Sequence, residues 1–184
     1  MIPVTSFPNS PTSPTLSTLI QALDDATDLA APARPAAVAR ALQPFLTRPD
    51  LLTATHRRSA ADGYRTNVVH VHPTGCYSVV ALVWRPGQRT AIHSHASWCV
   101  VGVHRGRELE RSFRRLDDDR VVEVARRPMA AGEVAWLQEG DDDIHDVTNA
   151  AEDITISIHV YGLDYRSRGS SIATTFTEAV PIAA

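Results

Sequence analysis

Ile154-Thr155-Ile156-Ser157-Ile158-His159-Val160-Tyr161 sets a branched aliphatic residue at every even position and a hydroxyl or imidazole side chain at every odd one. Strict alternation is the period of a β-strand, whose successive side chains leave opposite faces. Two arrangements satisfy this pattern. In one, the segment is an antiparallel edge strand whose odd residues meet water. In the other, the aliphatic face packs under helices or a second sheet, and Ser157, His159 and Tyr161 line an interior. Working outward, short β-branched runs separated by turn residues recur at 67–71, 77–84, 98–103, 120–124 and 133–137. Such runs without intervening helices predict an all-β body, a barrel or a sandwich.

The N-terminal third differs. From residue 15 to about residue 50 the chain is rich in Ala and Leu, with Leu16, Leu19, Ile20 and Leu23, then Val38, Leu42, Phe45 and Leu46, at helical spacing. Pro14 and Pro35 suit first turns, and the 32–35 stretch supplies the break, so two helices are predicted against the outside of the β body. Residues 1–14 are rich in Pro, Ser and Thr and lack the basic start and apolar core of a signal peptide; they read as a disordered lead-in to a single domain over 15–184. A net charge of −3 with interspersed signs offers no basic field for nucleic acid or a membrane surface, and no apolar run approaches a membrane span. The cytoplasm is the expected setting. Its reducing conditions would keep the two cysteines, Cys76 and Cys99, as thiols. Oligomeric state is not encoded in any of these features.

His93-Ser94-His95 puts two imidazoles on one face of a strand, where both reach a single metal ion, and His145 would close the site from a neighbouring strand. Imidazole suits iron, zinc, copper or nickel. Three neutral nitrogens leave the double positive charge of the ion uncompensated and so favour an anionic ligand. Around the pair runs a frame of Gly87, five residues, His93-x-His95, three residues, Cys99, six residues and Gly106, with His145, three residues, Asn149 about fifty residues on.

This spacing resembles the two motifs of the cupins, small β-barrels that hold a metal inside, with Cys99 where the first motif has a glutamate. Cys99, His145 and Ser157-x-His159-x-Tyr161 together are similar to cysteine dioxygenase and the related bacterial thiol dioxygenases, over about residues 64–161. The resemblance implies a small cupin-type β-barrel with the N-terminal helices outside it, and a mononuclear iron(II) on His93, His95 and His145. Three positions would remain for a substrate thiolate and dioxygen, which together yield a sulfinic acid. It implies that Cys99 and Tyr161 join in a thioether crosslink, and that Ser157, His159 and Tyr161 act as a relay holding the phenol toward the reacting groups. Trp84 is expected to be core packing, and Cys76 core filler.

One part of the family pattern is absent. Cysteine dioxygenases bind the substrate carboxylate through an arginine on an early strand, and relatives acting on 3-mercaptopropionate carry glutamine there. Here Tyr64-Arg65-Thr66-Asn67 puts Thr66 at that position, with Arg65 one residue away and, in a regular strand, on the opposite face. A bulge would turn Arg65 inward; otherwise Tyr64, Thr66, His70, which shares the parity of Thr66, or Arg166 or Arg168 would serve. The expected activity is iron-dependent oxidation of cysteine or a close carboxylated analogue. The alternatives are 3-mercaptopropionate or another thiol as substrate, and a non-catalytic metal-binding cupin that senses a small ligand. The acidic runs 117–119 and 141–143 are expected in hairpin loops without function.

Overall fold

The computed structural model describes residues 13–138 and 143–178. Residues 1–12, most of the expected lead-in, therefore lie outside the described residues. Helix α1 (Pro14–Thr27) starts where the sequence supplies both signals for it: Pro14 in the first turn, and Ser13, whose hydroxyl accepts the Leu16 N–H at 3.1 Å. Its stripe of Leu16, Leu19 and Leu23 is buried, as are Val38 and Leu42 of α2 (Arg34–Leu42). Each such leucine contributes about 1.5–3 kcal/mol by leaving water.

Among the described residues ten strands follow: β1 (Arg65–Val71), β2 (Ser78–Trp84), β3 (Ile92–His95), β4 (Cys99–Arg105), β5 (Arg107–Arg115), β6 (Arg120–Ala130), β7 (Val134–Leu137), β8 (Ile144–Asn149), β9 (Thr155–Tyr161) and, after a short helical turn α3 (Tyr165–Arg168), β10 (Ile172–Glu178). They form two five-stranded sheets. The first has the order β1-β2-β9-β4-β7; the second runs β10-β3-β8-β5-β6 and closes through a two-residue parallel pairing of β10 with β6. The expected cupin-like body with N-terminal helices outside it takes the form of two sheets, of which the second closes on itself. The switch from one sheet to the other lies at Gly106. There the chain leaves β4 for β5 in the other sheet through a left-handed residue (φ +84), and a Cβ would lie 2.2 Å from Thr155 Oγ1.

The aliphatic face of β9, Ile156, Ile158 and Val160, shares a core with Val79, Ala81 and Val83 of β2, Val100 of β4 and the leucines of α1 and α2. β9 is a central strand with every residue buried. The edge-strand arrangement is thus excluded, and Ser157, His159 and Tyr161 face the space between the sheets. Cys76 departs from expectation: it is exposed in the β1–β2 turn, its Sγ 3.1 Å from His72 Nδ1. Asp117 sits in the β5–β6 turn, where its carboxylate accepts the Asp119 and Arg120 N–H groups. No helix among the described residues is long and apolar enough to cross a membrane.

Candidate metal centre

His93 and His95 lie on one face of β3, and the β3–β8 register sets His145 directly opposite His93. One nitrogen of each ring falls within 4.8 Å of the others, and all three residues are buried. The opposite nitrogens decide the protonation. His93 Nδ1 meets the Ala91 carbonyl at 2.9 Å, His95 Nδ1 the Asp143 carboxylate at 2.6 Å, and His145 Nδ1 the Glu110 carboxylate at 2.9 Å. A carbonyl or a carboxylate only accepts, so every Nδ1 carries the proton and every Nε2 turns a bare lone pair toward the centre. His93 and His95 Nε2 stand 3.3 Å apart, and His145 Nε2 is buried without a hydrogen-bond partner. Lone pairs converging in this way suit a cation: ligands about 2.1 Å from an ion stand about 3 Å from each other. Burial, then the neighbouring His145 and His95, pushes His93 down to about 3; burial also lowers His95 against the opposing pull of Asp143. Both rings stay neutral and ready to ligate near neutral pH.

Beside the triad, the inward face of β9 carries a continuous chain. Tyr161 Oη lies 3.0 Å from His159 Nδ1, and His159 Nε2 lies 2.9 Å from Ser157 Oγ. Trp84 is more than core packing, for its indole N–H donates to Ser157 Oγ at 3.1 Å. Burial holds His159 well below and Tyr161 well above their ordinary values, so the imidazole and the phenol are both uncharged. The ring of Tyr161 lies 5.7 Å from that of His95. Cys99 is fully buried directly across the β4–β9 register from Tyr161, its thiol also kept protonated by burial.

A family model for cysteine dioxygenase type I matches residues 53–167, from the turn before β1 through β9 to α3. The chain belongs to the cysteine dioxygenase type I family. Among solved structures it is similar to a Klebsiella pneumoniae subsp. pneumoniae protein with a double-stranded β-helix domain, at 17% identity over 68% of this chain and 97% of that one, TM-score 0.52. A Thermus thermophilus protein (18% identity, 58% and 89% covered, TM-score 0.47) and a Cupin 2 conserved barrel domain protein from Salinispora arenicola (24%, 53% and 74%, 0.41) align more loosely. These likenesses concern the fold. The chain is thus a cupin-like member of the cysteine dioxygenase type I family with a three-histidine metal-binding site, and that combination supports a metal-dependent, oxygenase-type enzymatic role.

The cavity of this cysteine dioxygenase type I domain opens from the three histidines past Tyr161 to Tyr64, Thr66, Tyr165, Ser170 and Ser171. Of the substrate candidates, Tyr64 and Thr66 line it. Arg65 does not: strand parity holds, and its exposed guanidinium donates to Asn67 Oδ1 at 3.1 Å. His70 does not reach it either. A bulge between Val68 and His70 breaks its parity with Thr66, and its ring lies 5.7 Å from that of Tyr77, whose hydroxyl donates to Asp24 of α1. Arg168 is exposed on α3 and not among the lining residues, although Tyr165, at the other end of that turn, is. No arginine lines the cavity among the described residues, and the segments outside them contain none. Sequence reasoning missed Asp143 and Glu110. Asp143 ends an acidic run, Asp141 and Asp142 of which lie outside the described residues, and Glu110 sits in a charged strand with no motif to mark it.

Proposed function

We propose that this chain is an iron(II)-dependent dioxygenase that oxidises a small thiol to its sulfinic acid. The observation that carries the reading is the donor set: three imidazole nitrogens with no carboxylate among them, which leaves a divalent ion short of negative charge and favours capture of a thiolate. Iron(II) bound there would supply thiolate ligation and the activation of dioxygen. The protein holds the ion through His93, His95 and His145, surrounds it with buried walls that limit water, and presents the protonated phenol of Tyr161, steadied by His159 and Ser157.

The other end of the thiol meets Tyr64, Thr66, Tyr165, Ser170 and Ser171. Cysteine or a close carboxylated analogue is the leading substrate and 3-mercaptopropionate the next. With no guanidinium in the wall, a carboxylate would depend on these hydroxyls or on Arg168 moving in from the rim, and both are weaker arrangements than a bidentate arginine. Cys99 and Tyr161, opposite each other across two strands, are proposed to form the family's thioether. That C–S bond forms with loss of the thiol hydrogen and one ring hydrogen, two electrons passing to dioxygen, and the intact mass falls by about two hydrogens. Two reduced cysteines and an intracellular thiol fit a cytoplasmic setting.

The test is anaerobic loading with iron followed by oxygen uptake with cysteine, 3-mercaptopropionate, cysteamine and mercaptosuccinate. Uptake with at least one of them, with sulfinate as product, is expected. If iron-loaded protein consumes no oxygen with any thiol, the sensor reading replaces this one.

A further inference from the structure

Away from the metal centre, the β1–β2 turn carries a second grouping of reactive side chains that the proposed oxygenase chemistry does not use. Cys99 of β4 is fully buried, whereas Cys76 is exposed, with its Sγ 3.1 Å from His72 Nδ1. The tautomer of His72 follows from its neighbours. The Thr74 N–H, which can only donate, meets the same Nδ1 at 3.2 Å, so Nδ1 is bare and the ring proton sits on Nε2. Nε2 lies 3.8 Å from Asp24 Oδ1 of α1, too far for a direct hydrogen bond but close enough for the carboxylate to stabilise the ring once it is charged. Asp24 is itself held in place: the buried Tyr77 donates its hydroxyl to that Oδ1 at 2.6 Å, and the Tyr77 ring lies 5.3 Å from the imidazole.

A thiol, a base and a carboxylate therefore stand in series, contributed by the turn after β1 and by α1. An unassisted thiol is a weak nucleophile, because only a few per cent of it is thiolate at neutral pH. Beside a bare imidazole nitrogen the thiol proton passes to His72 Nδ1, which leaves a thiolate next to an imidazolium whose second N–H faces Asp24. Thr74 is exposed, so water takes over its N–H when Nδ1 is protonated, and Thr74 Oγ1, 2.9 Å from Nδ1, accepts from the ring as well. The turn contributes no wall to the metal cavity, so Cys76 reacts with what reaches it from solvent.

We propose that Cys76, activated by His72 and Asp24, is a modification site that takes up small disulfides as a mixed disulfide. The thiolate attacks one sulfur of R–S–S–R; a Cys76–S–S–R bond forms, the S–S bond of the reagent breaks, and the leaving thiolate takes the proton from His72 Nδ1 and departs as R–SH. The Cys76 sulfur is oxidised, the leaving half of the reagent is reduced, and no other oxidant is needed. Neither the metal nor the proposed thiol substrate takes part, so the inference goes beyond the dioxygenase reading and fails or survives apart from it.

The test uses fully reduced, full-length protein at neutral pH without oxygen, bis(2-hydroxyethyl) disulfide as the probe, and intact mass with peptide mapping as the readout. A hydroxyethylthio group is expected on Cys76, none on Cys99 while the protein is folded, and none on folded Cys76→Ser. His72→Asn keeps an acceptor for the Thr74 N–H and removes the base. A free thiol being only a few per cent ionised, activation can raise the rate by roughly 30-fold at most, and an ion-paired thiolate is less nucleophilic than a free one, so folded wild type should react about tenfold faster than folded His72→Asn. A rate in His72→Asn equal to or above that of wild type overturns the proposal, as does label found elsewhere than on Cys76. Should His72→Asn not fold, Cys76 of folded wild type is compared with Cys76 of the same chain unfolded in urea: a faster folded thiol supports the proposal, and an equal or slower one overturns it.

Discussion

At the scale of single residues, the metal centre owes its shape to groups that do not touch the metal position. Asp143, Glu110 and the Ala91 carbonyl each take an Nδ1 proton and so aim an Nε2 lone pair inward. Asp143→Ala leaves the His95 N–H buried and unpaired and frees the ring to turn. Metal affinity is expected to fall about 10- to 100-fold, measured by competition with a chelator, while the circular dichroism spectrum stays native; unchanged affinity would show that packing alone orients His95. The three ligands were legible in the sequence because two of them share a strand face and the third has a fixed motif spacing. Their orienting partners were not, since Asp143 lies 48 and Glu110 35 positions from the imidazole it holds. Thr66 was placed correctly by parity, whereas His70 was misplaced by one bulged residue, which reverses every side chain beyond it.

At the scale of elements, what was legible follows chemical contrast. β2, β4 and β9 are apolar or sharply alternating and stand out as strands. β5 and β10 do not: the outer face of β5 reads Arg107, Leu109, Arg111, Phe113 and Arg115, and β10 is mostly threonine with one buried phenylalanine. Beside a small apolar cluster of Phe113, Val121, Ile144 and Phe176, the second sheet is joined by charge. Arg111 of β5 donates to Asp146 of β8 at 2.9 Å through Nε, to Glu123 of β6 at 3.2 Å and to Glu178 of β10 at 3.1 Å, which links four of its five strands. The Asp146 side chain is only 2% exposed. Arg111→Ala strands that carboxylate, and stability is expected to fall by about 3 kcal/mol, read as a lower urea midpoint. Asp146→Asn in the same background should recover part of the loss, because it removes the charge left unpaired. No recovery would mean that the guanidinium acts by packing over Phe113, 5.0 Å from its ring centroid.

At the scale of the whole molecule, the buried histidines give the fold a pH limit. His56, His70, His93, His95, His104 and His159 all have pKa values below the ordinary 6.5, with burial the leading cause in each. In the unfolded chain the same rings titrate near 6.5. As pH falls below that value the unfolded state takes up protons that the folded state refuses, so stability decreases. The histidine contribution is fully present above about pH 6.5 and is lost on acidification toward the depressed folded values, which for His93 reach about 3. Carboxylates with lowered pKa values, such as Asp117 and Asp153, have ordinary values near 3.8 and add their loss only below about pH 4. Between pH 6.5 and about 4.5 the slope is set by these histidines, opposed by Glu108, whose burial pushes its folded value up to about 7 and so favours the folded state on acidification. For metal-free protein, the urea midpoint is expected to be level from about pH 8 to 7 and to drop steeply between 6.5 and 4.5, with more than one proton taken up on unfolding. Adding the divalent metal should raise the midpoint at neutral pH and steepen the acid fall, because ligation requires His93, His95 and His145 neutral. A midpoint that stays level from pH 7 to 5 without metal would mean that the folded protein admits protons, or water, to these rings, and the dry, neutral nitrogen set at the metal centre would have to be abandoned.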